Sequence, residues 1–306
     1  MESLHAVVTH NILAMHAEPG GSSELVSQAI LGDSVTLLEE CGDYRRLRTV
    51  DDYEGWALRR HLCIATPALF SARPPLDGRQ VRVRVAATDL LQKPVANGPI
   101  QTRLVLGSRL IAQKPCGDLL RVLYPVTDLS GASWRAGYVP AEAVASASER
   151  LPLRGDALLE LAKRFIGTPY LWGGTTPFGF DCSGFVQRLY AMAGVLLPRD
   201  AYLQARSPLG RLLAENESPQ PRDLVFFQGQ RDPRNRGVTH VGMALGRNRF
   251  IHAYGRDGVT IHTLDDPEIR TVYTYRGAWR CRPVASGAAD PSCPAPFETL
   301  RASRTS

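Results

Sequence analysis

Residues 170–190 read Tyr170-Leu-Trp-Gly-Gly-Thr-Thr-Pro-Phe-Gly-Phe-Asp-Cys-Ser-Gly-Phe-Val-Gln-Arg-Leu-Tyr190. A glycine-rich turn with two aromatic residues leads into apolar side chains at the i, i+3, i+4 spacing of a helix face. The pattern predicts that Cys182 lies in the first turn of a helix, with Asp181 or Ser183 available as a cap. Unpaired amide N–H groups and the positive end of the helix dipole favour a thiolate at that position. We therefore expect Cys182 to have a lowered pKa and to act as a nucleophile.

Two histidines follow on predicted neighbouring strands. Residues 239–245 alternate in polarity and carry His240, and residues 249–254 form the next predicted strand, with His252. A thiol nucleophile needs a base beside it, and the base needs a third polar group that fixes its ring. Cys182, His240 and His252 supply these three parts, in that chain order. No metal or other cofactor is required for this chemistry.

Four motifs in this order resemble the NlpC-type family of papain-like cell-wall peptidases. They are Asp181-Cys-Ser-Gly-Phe185, Asp223-Leu-Val-Phe-Phe227, His240-Val-Gly242 and His252. The resemblance covers about residues 151–284, and four ordered motifs are far more specific than a lone Cys-His pair. It implies an α+β, papain-like catalytic domain, similar to the γ-D-glutamyl-L-diamino acid endopeptidases that recycle murein peptides.

Residues 1–68 precede this domain and contain short β-like runs separated by turn signals, which predicts a small barrel. The predicted strands are Ala6–Thr9, Glu24–Ile30, Ser34–Glu39, Arg45–Val50 and Glu54–Leu58. The spacing of Gly32-Asp33, Tyr44 and Gly55-Trp56 resembles a bacterial SH3-like domain.

Residues 76–148 repeat the pattern of short strands. Gly137-Tyr138-Val139 stands where Gly55-Trp56-Ala57 stood, which indicates a divergent internal repeat and a second SH3-like barrel. The predicted fold is therefore α+β, with a papain-like NlpC-type catalytic domain over residues 151–284 preceded by two small all-β barrels. Residues 285–306 are rich in Ser, Gly, Ala and Pro, and we expect a disordered tail there.

Composition excludes several classes of function. The formal net charge of +6 is modest and is not gathered into a basic stripe with interleaved aromatics, so we expect no nucleic-acid partner. No stretch reaches the apolar length of a membrane span, so we expect no membrane partner. The six cysteines are scattered without the paired spacing of a metal site, and free thiols are expected. They are Cys41, Cys63, Cys116, Cys182, Cys281 and Cys293.

The first ten residues lack a basic region followed by an apolar region, which a secretory signal would have. This predicts a cytoplasmic protein. A secreted or periplasmic protein is the alternative if the N-terminus is incomplete.

The resemblance also implies roles for residues near Cys182. Asp181 caps the helix, and in the family this position also meets the amino end of the substrate. Tyr170 corresponds to a tyrosine beside the oxyanion site, and Trp172 to an aromatic residue on the wall of the cleft. Both aromatics have a plainer alternative, which is a place in the core.

Other polar residues are candidates for the pocket or the surface. Ser183 is a candidate for the substrate pocket, and so are the consecutive residues Arg199 and Asp200. Ala201 stands where some relatives carry a serine, which removes one possible hydrogen bond to substrate. His262 lies on a further predicted strand, and we expect it to be a surface residue.

Relatives with this architecture use an acid and a tyrosine of the first barrel to hold the free amine of the substrate. Tyr53, just before Glu54-Gly-Trp56, is the tyrosine candidate. Glu18 is the preferred acid and Glu24 the second choice. The plainer alternative is that all of them are ordinary surface residues.

The resemblance implies hydrolysis of the γ-D-glutamyl bond to a diamino acid in murein tri- or tetrapeptides that begin with a free L-Ala (L-Ala-γ-D-Glu-diamino acid). Together with the absence of an export signal, it favours recycling of released peptides. Three alternatives stay open: a secreted hydrolase of the intact wall, an amidase or acyltransferase with the same Cys-His-His set, and a binding module without turnover.

Overall fold

The structure is a computed structural model that describes residues 4–64, 78–128, 131–230 and 236–282. The chain divides between Glu149 and Arg150 into two compact units. Sheet dominates and helices are few, so the predicted α+β class with small all-β domains before the catalytic domain is confirmed. The expected tail over 285–306 and most of the segment between the two predicted barrels lie outside the described residues.

The first half of the N-terminal unit is a seven-stranded antiparallel sheet in the order β3-β2-β6-β5-β4-β1-β7. The strands are β1 (Leu4–Val8), β2 (Ile12–His16), β3 (Leu25–Ile30), β4 (Ser34–Cys41), β5 (Tyr44–Arg48), β6 (Glu54–Leu58) and β7 (Leu62–Ile64). Alternate side chains of these strands point inward and fill a small core. Its buried members are Ala6, Val8, Leu13, Met15, Ala29, Val35, Leu37, Leu47, Ala57 and Leu62.

The second half repeats this topology strand for strand, in the order β10-β9-β13-β12-β11-β8-β14. The strands are β8 (Arg79–Val83), β9 (Ala87–Leu91), β10 (Ile100–Val105), β11 (Arg109–Cys116), β12 (Leu119–Asp128), β13 (Gly131–Pro140) and β14 (Val144–Ser146). Each half also has a 3₁₀ turn directly before its last strand, at Arg59–His61 and Ala141–Ala143. Adding seven to each strand number of the first order gives the second, which is the result expected of an internal repeat.

An apolar residue of the first half packs into the second half. Leu31, in the turn after β3, is fully buried in the core of the second half rather than the first. Its carbonyl accepts from the backbone N–H of Arg109 at 2.9 Å. Gly32 follows with φ of +86°, and a Cβ there would lie 2.5 Å from the Arg109 carbonyl oxygen, so only glycine fits.

The described residues of the C-terminal unit form four helices and a six-stranded antiparallel sheet in the order β17-β22-β18-β19-β20-β21. The helices are α1 (Ala157–Lys163), α2 (Cys182–Met192), α3 (Ala201–Gln204) and α4 (Pro267–Val272). The two-residue strands β15 (Thr175–Thr176) and β16 (Gly179–Phe180) form a separate hairpin. The main strands are β17 (Gly210–Leu212), β18 (Leu224–Gly229), β19 (His240–Gly246), β20 (Arg249–Tyr254), β21 (Gly258–Thr263) and β22 (Tyr273–Cys281).

Aromatic packing holds α2 against its surroundings. Phe185 on α2 makes edge-on contacts with Phe165 and Phe180, with ring centroids 6.3 and 5.4 Å away. All three rings are buried. Edge-to-face pairs of this kind add about 0.5–1.5 kcal/mol each beyond the apolar area they bury. The buried cluster fixes the position of the helix start that carries Cys182.

Local signals set two element boundaries in this unit. Helix α1 ends at Lys163, because the next residues make i→i−3 bonds before Gly167. Residues 267–272 form helix α4, and strand β22 begins directly after it at Tyr273. The start of α4 has its own signal in Asp266-Pro267, since Asp266 caps the helix and proline suits its first turn.

No helix among the described ranges has both the length and the apolar character that a membrane span needs.

Gly242 on β19 has no room for a side chain. A Cβ there would lie 2.7 Å from Cδ2 of Phe250, 3.0 Å from the carbonyl oxygen of Ile251 and 3.1 Å from Cβ of His252. We predict that Gly242→Ala lowers the free energy of unfolding by about 1–3 kcal/mol, because the buried neighbours must move. Urea denaturation measures this. Gly255→Ala is the control, since nothing lies within 4 Å of its added methyl group, and equal losses in the two variants would contradict the prediction.

Candidate active site

Cys182 is the first residue of α2, as the sequence predicted. Asp181 is the N-cap, with extended backbone, and its Oδ1 accepts from the backbone N–H of Gly184 at 2.7 Å. Its Oδ2 accepts from the N–H of Gly173 at 3.0 Å. One carboxylate therefore fixes both the helix start and the glycine loop in front of it.

The glycine loop packs directly on the helix. A Cβ on Gly184 would lie 2.2 Å from the carbonyl oxygen of Gly174, and a Cβ on Gly174 would lie 2.4 Å from that of Gly179. Backbone therefore meets backbone at these positions, and only glycine allows it. The loop closes over the first turn of α2 and leaves Cys182 only 7% exposed.

Asp181 also forms a buried ion pair with Arg199. The Nη1 of Arg199 donates to Asp181 Oδ1 at 3.1 Å and to Oγ of Ser183 at 2.9 Å, and its Nη2 pairs with Asp181 Oδ2. Arg199 is 2% exposed. Arg199 and Ser183 thus both support Asp181 at the helix start. Their contact with substrate stays a prediction.

His240 and His252 lie on one face of the sheet, on β19 and β20. The Nε2 of His240 is 2.7 Å from the Nδ1 of His252, and both side chains are buried. The backbone N–H of Val241, the residue after His240, interacts with the thiol of Cys182. The structure thus brings the three sequence-predicted residues to one place, where the strand of the base meets the start of the nucleophile helix.

Aromatic rings surround the two imidazoles. Tyr273 stacks on His240, with centroids 4.5 Å apart and planes 19° apart. Tyr254 stacks on His252 at 5.5 Å and 21°, and Phe227 contacts His240 at 6.0 Å. These rings keep water away from both histidines and limit rotation of their side chains.

Burial decides the protonation of the site. It raises the pKa of the Cys182 thiol to about 12, and the Asp181 carboxylate adds to the rise. The N–H groups of Val241 and Ser183 and the Arg199 guanidinium act in the opposite direction. Burial likewise lowers the pKa of His240 to about 3. The expected lowered thiol pKa is therefore wrong for the free enzyme, because loss of water outweighs the helix start, and the resting site holds a thiol and a neutral imidazole.

Tyr170 lies beside Cys182, whereas Trp172 is exposed. Burial raises the pKa of Tyr170 well above its ordinary range, and a negative charge on Cys182 would raise it further. The phenol therefore stays protonated and can donate a hydrogen bond. Trp172 is 62% exposed, so it is not a core residue. Its place on the cleft wall stays a prediction.

Asp200 directly precedes α3 and is half-buried. Its Oδ2 lies 3.7 Å from Nη1 of Arg236. The guanidinium of Arg236 lies over the ring of Tyr202, with its Cζ 4.4 Å from the ring centroid. The side chain of Asp200 thus belongs to a polar cluster at the start of α3. Its contact with substrate stays a prediction.

The first-barrel candidates lie at two turns of that barrel. Glu18 is exposed in the turn between β2 and β3, where its N–H donates to Ser23 Oγ at 3.2 Å. Glu24, the second choice, is exposed in the same turn. Tyr53 is half-buried just before β6. Their roles toward substrate stay predictions.

Sequence reasoning missed two residues of the site. His262 was expected at the surface, but it is half-buried and its Nδ1 lies 2.9 Å from the Nε2 of His252. The signal was available, since His252 and His262 fall on adjacent antiparallel strands. Tyr273, which stacks on His240, had no motif to identify it.

The described cysteines and acids offer no metal centre. Cys41, Cys63, Cys116, Cys182 and Cys281 are free thiols. Within residues 4–64, 78–128, 131–230 and 236–282, no group of three or more His, Cys, Asp or Glu side chains is arranged to hold a metal ion.

Comparison with known proteins agrees with this geometry. The sequence model of the NlpC/P60 family matches residues 167–277, and that of the bacterial dipeptidyl-peptidase Sh3 domain matches residues 15–62. The chain is 28% identical over 269 residues to dipeptidyl-peptidase 6 of Lysinibacillus sphaericus, covering 86% of this chain and 93% of that protein. It is 27% identical over 274 residues to the γ-D-glutamyl-L-lysine dipeptidyl-peptidase of Bacillus cereus, covering 86% and 77%.

A solved structure shows the same fold. The crystal structure of an NlpC/P60 family protein from Bacillus cereus superposes with a TM-score of 0.74 at 23% sequence identity, over 91% of this chain and 100% of that chain. The fold and the buried Cys-His site define a hydrolase of the cysteine-peptidase class. The chain carries an NlpC/P60 domain over residues 167–277 and a bacterial dipeptidyl-peptidase SH3 domain over residues 15–62.

The Asp181–Arg199 pair gives a stability test. Arg199→Met leaves the Asp181 carboxylate buried without its cation, and we predict a loss of about 3–5 kcal/mol in the free energy of unfolding. Arg211→Met is the matched control, because the Arg211–Glu217 pair is exposed, and it should change stability little. Urea denaturation of both variants measures the difference. Equal stability of the two would show that the buried pair does not hold the helix start.

The buried His252 gives a pH test. Burial holds the pKa of His252 well below its ordinary value of 6.5, with the charges of His240 and His262 adding to the effect. Below pH 6.5 the unfolded chain therefore binds a proton that the folded chain does not, so stability falls as the pH is lowered. The slope is up to about 1.4 kcal/mol per pH unit for one such histidine. We predict that His252→Gln reduces this slope between pH 6.5 and 5, measured by urea denaturation; parallel slopes would contradict it.

Proposed function

We propose that this peptidase hydrolyses the γ-D-glutamyl bond to an L-diamino acid in peptidoglycan stem peptides that begin with a free L-Ala. The observation that carries the chemistry is the buried imidazole pair His240–His252, set where β19 meets the start of α2 with Cys182. The observation that supports the substrate is the similarity, over 86% of the chain, to proteins named dipeptidyl-peptidase 6 and γ-D-glutamyl-L-lysine dipeptidyl-peptidase.

The first step forms a covalent intermediate. The sulfur of Cys182 attacks the γ-carbonyl carbon of D-Glu while His240 takes the thiol proton. Because both groups are neutral at rest, proton transfer accompanies attack. The carbonyl oxygen becomes an oxyanion, which the backbone N–H of Cys182 and the hydroxyl of Tyr170 stabilise.

The second half of the cycle releases both products. His240 returns the proton to the leaving amine of the diamino acid, the C–N bond breaks, and a thioester to Cys182 remains. Water then attacks the thioester with His240 as base, and the Cys182 thiol is regenerated. His252 orients the His240 ring throughout and stabilises its cation.

The requirement for a free amine fits recycling of released peptides in the cytoplasm, which we include in the proposal. In this proposal Asp181 contacts the amino end of the substrate, and Glu18 and Tyr53 of the first barrel hold the amine. Trp172 and Asp200 line the path of the peptide.

Mass spectrometry of L-Ala-γ-D-Glu-diaminopimelate incubated with the enzyme tests the proposal. We predict release of L-Ala-D-Glu from the free peptide and little release from its N-acetylated form. The L-Lys peptide, run in parallel, reports which diamino acid is preferred. Cys182→Ala should abolish cleavage, because no other group supplies the nucleophile. Cys41→Ala is the matched control, since Cys41 is an exposed free thiol, and it should retain full activity.

Other outcomes identify the alternatives. Equal cleavage of the free and acetylated peptides, with activity on intact sacculi, would replace recycling with wall hydrolysis. Turnover that depends on an added acyl acceptor would indicate an acyltransferase. Peptide binding without cleavage, unchanged in Cys182→Ala, would indicate a binding module.

A further inference from the structure

Three histidines form a continuous chain of hydrogen bonds. The Nε2 of His240 meets the Nδ1 of His252 at 2.7 Å, and the Nε2 of His252 meets the Nδ1 of His262 at 2.9 Å. Both ring nitrogens of His252 are therefore occupied by other imidazoles. The proposed mechanism uses the first two histidines and leaves the third without a role.

The sheet register puts His262 in this place. On β20 and β21, Phe250 pairs with His262 and His252 pairs with Thr260. Paired residues of antiparallel strands share a face, so His252 and His262 are diagonal neighbours on the same face, within reach of long side chains. β21 is an edge strand of the sheet, and His262 is half-buried whereas His252 is fully buried. The chain of imidazoles runs from the buried site toward the sheet edge.

The chain allows two arrangements of its protons. A neutral imidazole has one N–H and one bare nitrogen, so His252 must donate on one side and accept on the other. If His252 donates to His262, it accepts from Nε2–H of His240, and the Nδ1 of His240 is bare. If His262 donates to His252, both bonds reverse and the proton of His240 sits on Nδ1. Only the first arrangement leaves His240 able to accept a thiol proton.

We propose that His262 is a positioning residue whose bare Nδ1 accepts from Nε2–H of His252 and thereby selects the arrangement in which His240 is a base. The inference rests on the proposed function, since it gives His262 a task in the same reaction. A proton added to Nδ1 of His262 would reverse both hydrogen bonds and switch the base off. His262 thus couples the protonation of a half-buried imidazole to the state of a fully buried one.

Among the described residues, the polar and titratable neighbours of His262 come from β20. From β20, His252 and the edge of the Tyr254 ring face it, the latter with centroids 5.7 Å apart. The hydroxyl of Tyr254 donates to Glu268 Oε1 at 3.4 Å, and Glu268 also pairs with Arg256 at 3.1 Å. The neighbouring β16 consists of glycine and phenylalanine and adds no titratable group.

Steady-state kinetics on the γ-D-glutamyl peptide tests the proposal. His262→Leu removes the acceptor, and we expect kcat to fall about 10- to 100-fold with little change in KM, by analogy with the loss of an outer hydrogen-bond partner of a metal-bound imidazole. His262→Asn keeps an acceptor oxygen and should recover most of the activity. Thr260→Val, opposite His252 on the same face, should match the wild type.

Three kinetic results would overturn the inference: equal loss in the Leu and Asn variants, unchanged activity in His262→Leu, or an equal loss in Thr260→Val. Thermal unfolding of each variant shows whether a loss of activity reflects a loss of folded protein.

A second measurement needs no substrate. Two-bond ¹H–¹⁵N correlation spectra of ¹⁵N-histidine-labelled enzyme report which ring nitrogen is protonated. We expect His240 and His252 to carry the proton on Nε2 in the wild type, and His252 to become a mixture of tautomers in His262→Leu. One outcome is that the wild type cleaves no γ-D-glutamyl peptide while His262→Leu still changes the tautomer of His252. In that case the proposed substrate fails and the role of His262 stands. An unchanged His252 tautomer in His262→Leu overturns the role of His262 whatever the substrate.

Discussion

The carboxylate of Asp181 is the constraint on which the rest of the site depends. It caps α2 through Gly184, holds the glycine loop through Gly173, and pairs with the buried Arg199. A buried charge is costly unless it is paired and fully hydrogen-bonded, so these partners are mutually dependent. A change at any of them would move the first turn of α2, and with it the backbone N–H and the sulfur of Cys182.

The second constraint is the sheet register, which turns sequence spacing into a chain of imidazoles. Side chains alternate between the two faces of a strand, so His240, His252 and His262 share one face only because their strands pair in this register. Gly242 leaves the space that the His252 and Phe250 side chains fill. A slip of one residue would send a histidine to the opposite face, and the buried core of the sheet resists such a slip.

Local features could be read from the sequence, whereas features made by distant segments could not. The helix start at Cys182 and the strand Arg249–Tyr254 follow from capping and alternation, and both were predicted. Arg199 lies eighteen residues from Asp181, and no periodicity links the two. The thiol pKa was predicted with the wrong sign because the sequence shows the helix dipole but not the burial that outweighs it. His262 was misjudged because a half-buried edge strand resembles a surface strand in its sequence pattern.

Burial disfavours both charges that form during the reaction, and the polar contacts of the site offset this cost. A dry environment disfavours both the thiolate and the imidazolium, so the charge separation that attack requires must be stabilised at the moment it forms. The negative charge passes from sulfur to the substrate oxygen, next to the N-terminus of α2 and the protonated phenol of Tyr170. The positive charge forms on His240, which Tyr273 covers and which is bonded to His252. His252 is in turn bonded to the half-buried His262. The imidazolium of His240 is therefore stabilised by a chain of hydrogen bonds, although water is excluded around it.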